Sequence, residues 1–300
     1  MEFVTIGDAG NAADTDLNAA PLNAGSVGYT YGIGKFEVSR DMITKYNTNF
    51  GTANNLEITM ADMALYGGNG VNRPATGIAW NEAARFGNWL NDSQGFAKAY
   101  KFADGSATRA NIQLWTSGDA GYNASNRYRN SLAKYVLPDY NEWYKAAYYK
   151  PTNSTYYDYA NGSNTAPNAV ASGEGDNTAV YGQQYEAGPA DVDKAGGLSP
   201  YGVMGLNGNV WEWEESSFDL LNSSGSSVRG LRGAAFHNDG VTSSSERFFY
   251  QPAPNTGEDL GFRVVILNSD PPPAVPEPSM MVIGMLFGLG GLATKRRLKK

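Results

Sequence analysis

The 300-residue sequence contains no cysteine and a single histidine, His237. Without thiols there is no disulfide, no zinc–thiolate or iron–sulfur centre, and no cysteine nucleophile. One imidazole cannot build a multi-histidine metal site. Basic residues are outnumbered: 23 Lys and Arg against 30 Asp and Glu give a net charge of −7. No global field draws phosphate, which argues against nucleic acid as a partner. What is present is 36 glycines and 14 prolines in a chain that is 41% hydrophobic and 12% aromatic. That composition excludes a disordered polymer and points away from a helical bundle, and the length allows one large domain or two small ones.

The C-terminus changes character. Residues 268–278 read NSDPPPAVPEP, a spacer that favours extended polyproline geometry. Residues 280–294 carry no charge, and KRRLKK follows with five basic positions in six. As a helix the apolar run spans roughly 22 Å, short of the roughly 20 residues a stable crossing needs. The basic end is expected on the cytoplasmic side. Val275, Pro276, Glu277 and Pro278, followed by this Gly-rich apolar run and an Arg pair, resemble the PEP-CTERM sorting signal. The resemblance implies export, recognition by an exosortase-type membrane protease, transient membrane anchoring and release to the cell surface or extracellular polysaccharide of a Gram-negative-type bacterium. The first residues, MEFVTIGDAG, show neither the basic start nor the apolar stretch of a secretory leader, so a signal peptide is expected to be missing. An absence of cysteine suits an exported chain.

Residues 1–267 show no internal boundary. Ser39 is expected to cap a helix through RDMITKYN, and Asn81 one through EAARFGNWL. Asp139 and Glu142 have capping-box spacing ahead of Trp143. Strands bounded by turns are expected around 31–38, 210–213, 228–236 and 261–267. The 150–199 stretch, rich in Gly, Asn and Ala, exceeds ordinary loop length and implies irregular structure held by side-chain hydrogen bonds or ions. The fold class is therefore α+β, with few helices and much loop.

Six phrases occur in fixed order: GKFEVS (34–39), RPATGIAWNEAARFGNWLN (73–91), YVLPDYNEWYKAAYY (135–149), SPYGVMGLNGNVWEWEES (199–216), RGLRGAAF (229–236) and LGFRVV (260–265). Together they resemble the formylglycine-generating enzyme, or sulfatase-modifying factor, domain, with its LPTEAEWE, GNVWEW, RGGSW and closing GFR hallmarks. The resemblance covers about residues 3–267 and implies a variant of the C-type lectin fold. Trp80, Trp143, Trp211 and Trp213 are expected in the core. A period-two strand would put Trp211 and Trp213 on one face, with Glu212 on the other. Arg232 and Arg263 are expected to pair with acids or carbonyls.

The resemblance also implies a site. Family enzymes hold copper on two cysteines shortly after RGGSW; an ungapped overlay puts Asn238 and Ser243 there, beside His237. Soft Cu(I) needs thiolates, so no copper and no formylglycine-generating oxidase activity are expected. The histidine-rich iron branch of the family is excluded by the single imidazole. A family calcium site would use Gly208, Val210 and Glu212, although the usual Asn or Asp three positions before the glycine is Gly205. The expected function is an exported, non-catalytic binding or structural protein whose partners are an exosortase-type protease and extracellular polysaccharide or surface proteins. The alternatives are a divergent enzyme with His237, Asp239 or Glu246 as acid–base groups, or an inactive regulatory paralogue.

Overall fold

Tyr31–Gly34 lies at the centre of the first sheet because its alternating glycines let neighbouring strands approach closely. A Cβ at Gly32 would lie 2.5 Å from Ile266 Cγ2. The computed structural model describes residues 1–103, 112–246 and 249–267. The expected linker 268–279, the sorting residues and the 280–300 segment lie outside them. Among the described residues no helix is long and apolar enough to cross a membrane.

The first sheet runs Phe3–Ile6, Tyr31–Gly34, Val265–Leu267, Tyr135–Val136, with all neighbours antiparallel. The second runs Phe249–Gln251, Arg229–Arg232, Trp211–Ser217, Leu260–Gly261, with the last pair parallel. The closing phrase Leu260–Val265 passes from one sheet to the other, so Arg263 lies between them. Three α-helices are present among the described residues: α1 (Arg40–Tyr46), α2 (Trp80–Ser93) and α3 (Tyr140–Tyr148). The mixed, loop-rich architecture is the expected one.

Asp139 caps α3 as its spacing predicts. Its carboxylate accepts from Glu142 N at 2.8 Å, and Glu142 Oε2 accepts from Asp139 N at 2.7 Å. Ser39 occupies the cap position of α1 but makes no side-chain capping bond. Asn81 is not the cap of α2: that helix already begins at Trp80, and Glu82 Oε2 accepts from Ala79 N at 2.8 Å. The acid in the first turn, not the amide, satisfies the free donor.

Trp80, Trp143 and Trp213 are fully buried, and each indole N–H finds an acceptor: Glu214 O at 2.8 Å, Glu212 Oε2 at 2.7 Å and Ile78 O at 2.8 Å. These bonds tie α2 and α3 to strand Trp211–Ser217, whose residues are all buried. Its acids are answered within the fold. Arg232 Nε donates to Glu214 Oε1 at 2.7 Å, and Arg129 Nε donates to Glu215 Oε2 at 2.8 Å while its Nη1 and Nη2 grip Glu142 at 2.8 Å each. Residues 150–199 hold only two-residue ladders and short 3-10 turns. Side-chain bonds such as Asn161 Nδ2 to Asn177 Oδ1 at 2.6 Å fasten them.

Candidate functional site

Downstream of strand Arg229–Arg232 the chain turns through Gly233 and Ala234 at φ +90° and +65°. A left-handed alanine is uncommon, and it occupies a position where the family phrase has glycine. The turn delivers Asn238. Its Oδ1 accepts from Ala235 N at 2.8 Å, and its carbonyl accepts from Gly182 N at 2.7 Å, which fixes the side chain. No described protein group pairs with the remaining amide nitrogen.

Asn238 borders a cavity of about 470 Å³. Trp211, Leu231 and Phe249 form its apolar wall. Phe249 stands opposite Leu231 across the sheet, and its ring centroid lies 5.4 Å from that of Trp211. Gln251 faces the same way as Phe249, two residues on, as strand periodicity requires. Thr242, Asn255, Thr256 and Asp259 complete the polar wall. Gln251 Oε1 accepts from Asn255 Nδ2 at 2.9 Å, and Thr242 Oγ1 donates to Asp239 Oδ1 at 2.6 Å.

Asp259 is the charged residue among those described on the wall. Burial pushes its carboxyl above the ordinary range; His237 opposes that rise and Glu258 adds to it. His237 Nε2 lies 3.7 Å from Asp259 Oδ2, beyond hydrogen-bond length. The imidazole packs edge-on against Tyr185 and Phe236, with centroids at 4.8 and 5.0 Å, and its Nδ1 is buried without a partner. The acid facing His237 is thus Asp259, not Asp239.

Ser243 does not share the cavity wall with Asn238. It is fully buried, its hydroxyl donates to Gly240 O at 3.0 Å, and its carbonyl accepts from Tyr148 O–H at 3.0 Å. A copper centre at these two positions would have one amide and one hydroxyl, the second closed inside a turn. Neither is a thiolate, so the residues do not fit Cu(I).

The carboxylate expected to hold calcium is already paired within the fold. Glu212 is fully buried and both of its oxygens are committed. Arg263 Nε donates to Oε2 at 2.6 Å, Arg263 Nη2 pairs with Oε1, and Trp143 adds its indole bond. Gly208 is glycine because a Cβ there would strike Val180 O, at a backbone φ of +140°. Gly205 is glycine because Glu37 Oε1 fills the space a side chain would need. Glu37 arrives from beyond strand Tyr31–Gly34, 1% exposed, and accepts from Asn209 Nδ2 at 2.9 Å. Burial, reinforced by Glu212 and opposed by Arg263, pushes its carboxyl up to about 7. A guanidinium already supplies the positive charge a divalent ion would bring. Among the described residues no three His, Asp or Glu side chains cluster as metal ligands.

The sulfatase-modifying factor enzyme 1-like domain matches residues 3–267, from the first strand to the end of Val265–Leu267. The chain belongs to that family. Solved structures that share its fold include three with similar coverage. CarF aligns with a TM-score of 0.62 at 19% identity, over 89% of this chain and 98% of its own. Treponema denticola variable protein 1 gives 0.58 at 18%, over 88% and 94%. PvdO from Pseudomonas aeruginosa gives 0.52 at 14%, over 89% and 93%. No curated protein matches the chain by sequence. Within the sulfatase-modifying factor scaffold, then, the cavity takes in Asn238, the first of the two overlaid positions. Residues Gln251, Asn255, Thr256 and Asp259 were not singled out by motif. The signal was the turn-rich QPAPNTGED run directly before LGFR, which marks a loop beside the site.

Proposed function

We propose that this family member is an exported recognition protein: a sulfatase-modifying factor scaffold that presents the Asn238 cavity to a ligand and performs no copper-dependent oxidation. One observation carries the reading: a cavity lies at Asn238 while the positions overlaying both thiolates are Asn238 and Ser243, one fixed by a backbone bond and one buried. Loops on a rigid frame are suited to recognition. The PEP-CTERM-like tail supports processing by an exosortase-type protease and display at the cell surface or in extracellular polysaccharide. Fractionation of cells producing the chain with Pro276, Glu277 and Pro278 changed to alanine tests the sorting half. Retention in the membrane is the expected outcome, and unaltered release contradicts it.

A second reading, an enzyme with other chemistry, is favoured by the His237–Asp259 pair at the cavity edge. Their 3.7 Å separation lacks the hydrogen bond that orients a general base. Turnover of any substrate that vanishes in His237→Ala would establish this reading in place of the first.

A further inference from the structure

Resting on the recognition reading, we propose that the Asn238 cavity binds a short stretch of a neutral, hydroxyl-rich glycan. The unspent hydrogen-bonding groups point to that chemistry. Asn238 has its oxygen occupied and its amide nitrogen unpaired; Gln251 likewise has its oxygen tied to Asn255 and its nitrogen unpaired. Asn255 spends its nitrogen and keeps an oxygen, and the Asp259 carboxylate, 3.7 Å from His237, adds further acceptor capacity. The wall therefore offers two amide donors and several acceptors on one opening. A hydroxyl both donates and accepts, so a cluster of hydroxyls complements such a mixture, whereas a phosphate, sulfate or carboxylate only accepts.

Charge argues the same way. No Lys or Arg lines the cavity among the described residues, and its charged member is the carboxylate of Asp259. An anionic polysaccharide would meet that carboxylate with no Lys or Arg among the described lining residues to pair against, in a chain of net charge −7. The apolar wall supplies the other half of sugar recognition. Phe249 is 56% exposed and is backed by Trp211, a flat ring surface for the C–H face of a pyranose. The volume of about 470 Å³ falls within the ~300–1,000 Å³ range of small-ligand sites and suits a few sugar units, not a folded partner. The polar groups come from three separate segments and are held by bonds already made. They converge on one opening and do not run as the strip of alternating partners an extended peptide requires.

The test is calorimetric titration of the full chain with neutral oligosaccharides from glucan and mannan, with uronate and sulfated oligosaccharides, and with an uncharged hexapeptide. Parallel titrations use Phe249→Ala and Gln251→Ala, whose side chains are at the surface and whose melting midpoints are expected to stay near wild type. The expected result is binding of a neutral oligosaccharide, weakened about ten-fold or more in each variant, with no binding of the anionic set. In Asp259→Asn, neutral binding persists and rejection of anionic sugars relaxes. Binding of anionic sugars or the peptide alone, weakened by the same variants, would overturn the glycan assignment while leaving the recognition reading intact. Binding of no probe, or binding that both variants leave unchanged, would overturn the assignment outright. Catalytic turnover of a probe would remove the recognition reading itself.

Discussion

Replacing Arg263 with methionine removes the positive charge that lies between the two sheets. The guanidinium donates to Gly34 O at 2.8 Å and Met204 O at 2.9 Å as well as to both oxygens of Glu212. Without it Glu212, fully buried, is left with the hydrogen bond from the Trp143 indole. Breaking a buried pair from one side costs about 3–5 kcal/mol, since the surviving charge stays out of water uncompensated. Against a total stability of ~5–15 kcal/mol, that is at least about a fifth. Glu212→Gln is expected to cost less, about 1–3 kcal/mol, despite removing the other half of the same pair. The reason is Glu37: Glu212 helps hold its carboxyl up to about 7, so losing Glu212 lets Glu37 ionise and answer Arg263 in its place. Urea unfolding followed by tryptophan fluorescence at neutral pH measures both variants. An Arg263→Met protein within about 1 kcal/mol of wild type, or a Glu212→Gln protein as damaged as Arg263→Met, would refute the reasoning.

Glu37 also sets a pH dependence. Its folded carboxyl titrates near 7 against an ordinary value of 4.5, so the folded state binds more protons and stability falls as pH rises across that window, by roughly 3 kcal/mol. Glu37→Gln should flatten that part of the pH–stability curve, and an unchanged slope between pH 5 and 7 in the variant contradicts the assignment. Asp139→Ala should lower stability by about 1 kcal/mol through loss of the α3 cap, and Asp139→Asn by much less, both read as shifts in unfolding midpoint. Because Glu212 is spent on Arg263, excess calcium should leave the melting midpoint where chelator leaves it; a saturating upward shift would show a site this reasoning misses.

How much of this was legible in the sequence depends on the range of each interaction. The Asp139–Glu142 box is encoded by a three-residue spacing and was readable outright. The six ordered phrases conveyed the fold, and the expectation that Arg232 and Arg263 meet acids holds in Glu214 and Glu212. The α2 cap was misread because Asn81 is the more familiar capping residue, while Glu82 reaches back to Ala79 instead. The partners of the carboxylate named in the calcium expectation are a tertiary fact. Glu212 looked like a spare carboxylate until Arg263, 51 residues away, claimed it, and Gly205 looked like a lost ligand until Glu37 filled its space. The overlay of Asn238 and Ser243 was positional only. Nothing in five residues of loop tells which side chain faces the cavity and which the turn. Gln251, Asn255 and Asp259 join Asn238 because the sheet folds the two loops together, a contact with no local signature.

On the proposed reading, this scaffold presents a cavity without the thiolates that copper-dependent oxidation needs. The most direct measurement incubates the purified full chain with Cu(I), oxygen and a cysteine-containing sulfatase peptide, and follows the peptide by mass spectrometry. The account predicts that every peptide retains its thiol. Conversion of the cysteine to an aldehyde, dependent on this protein, would contradict it.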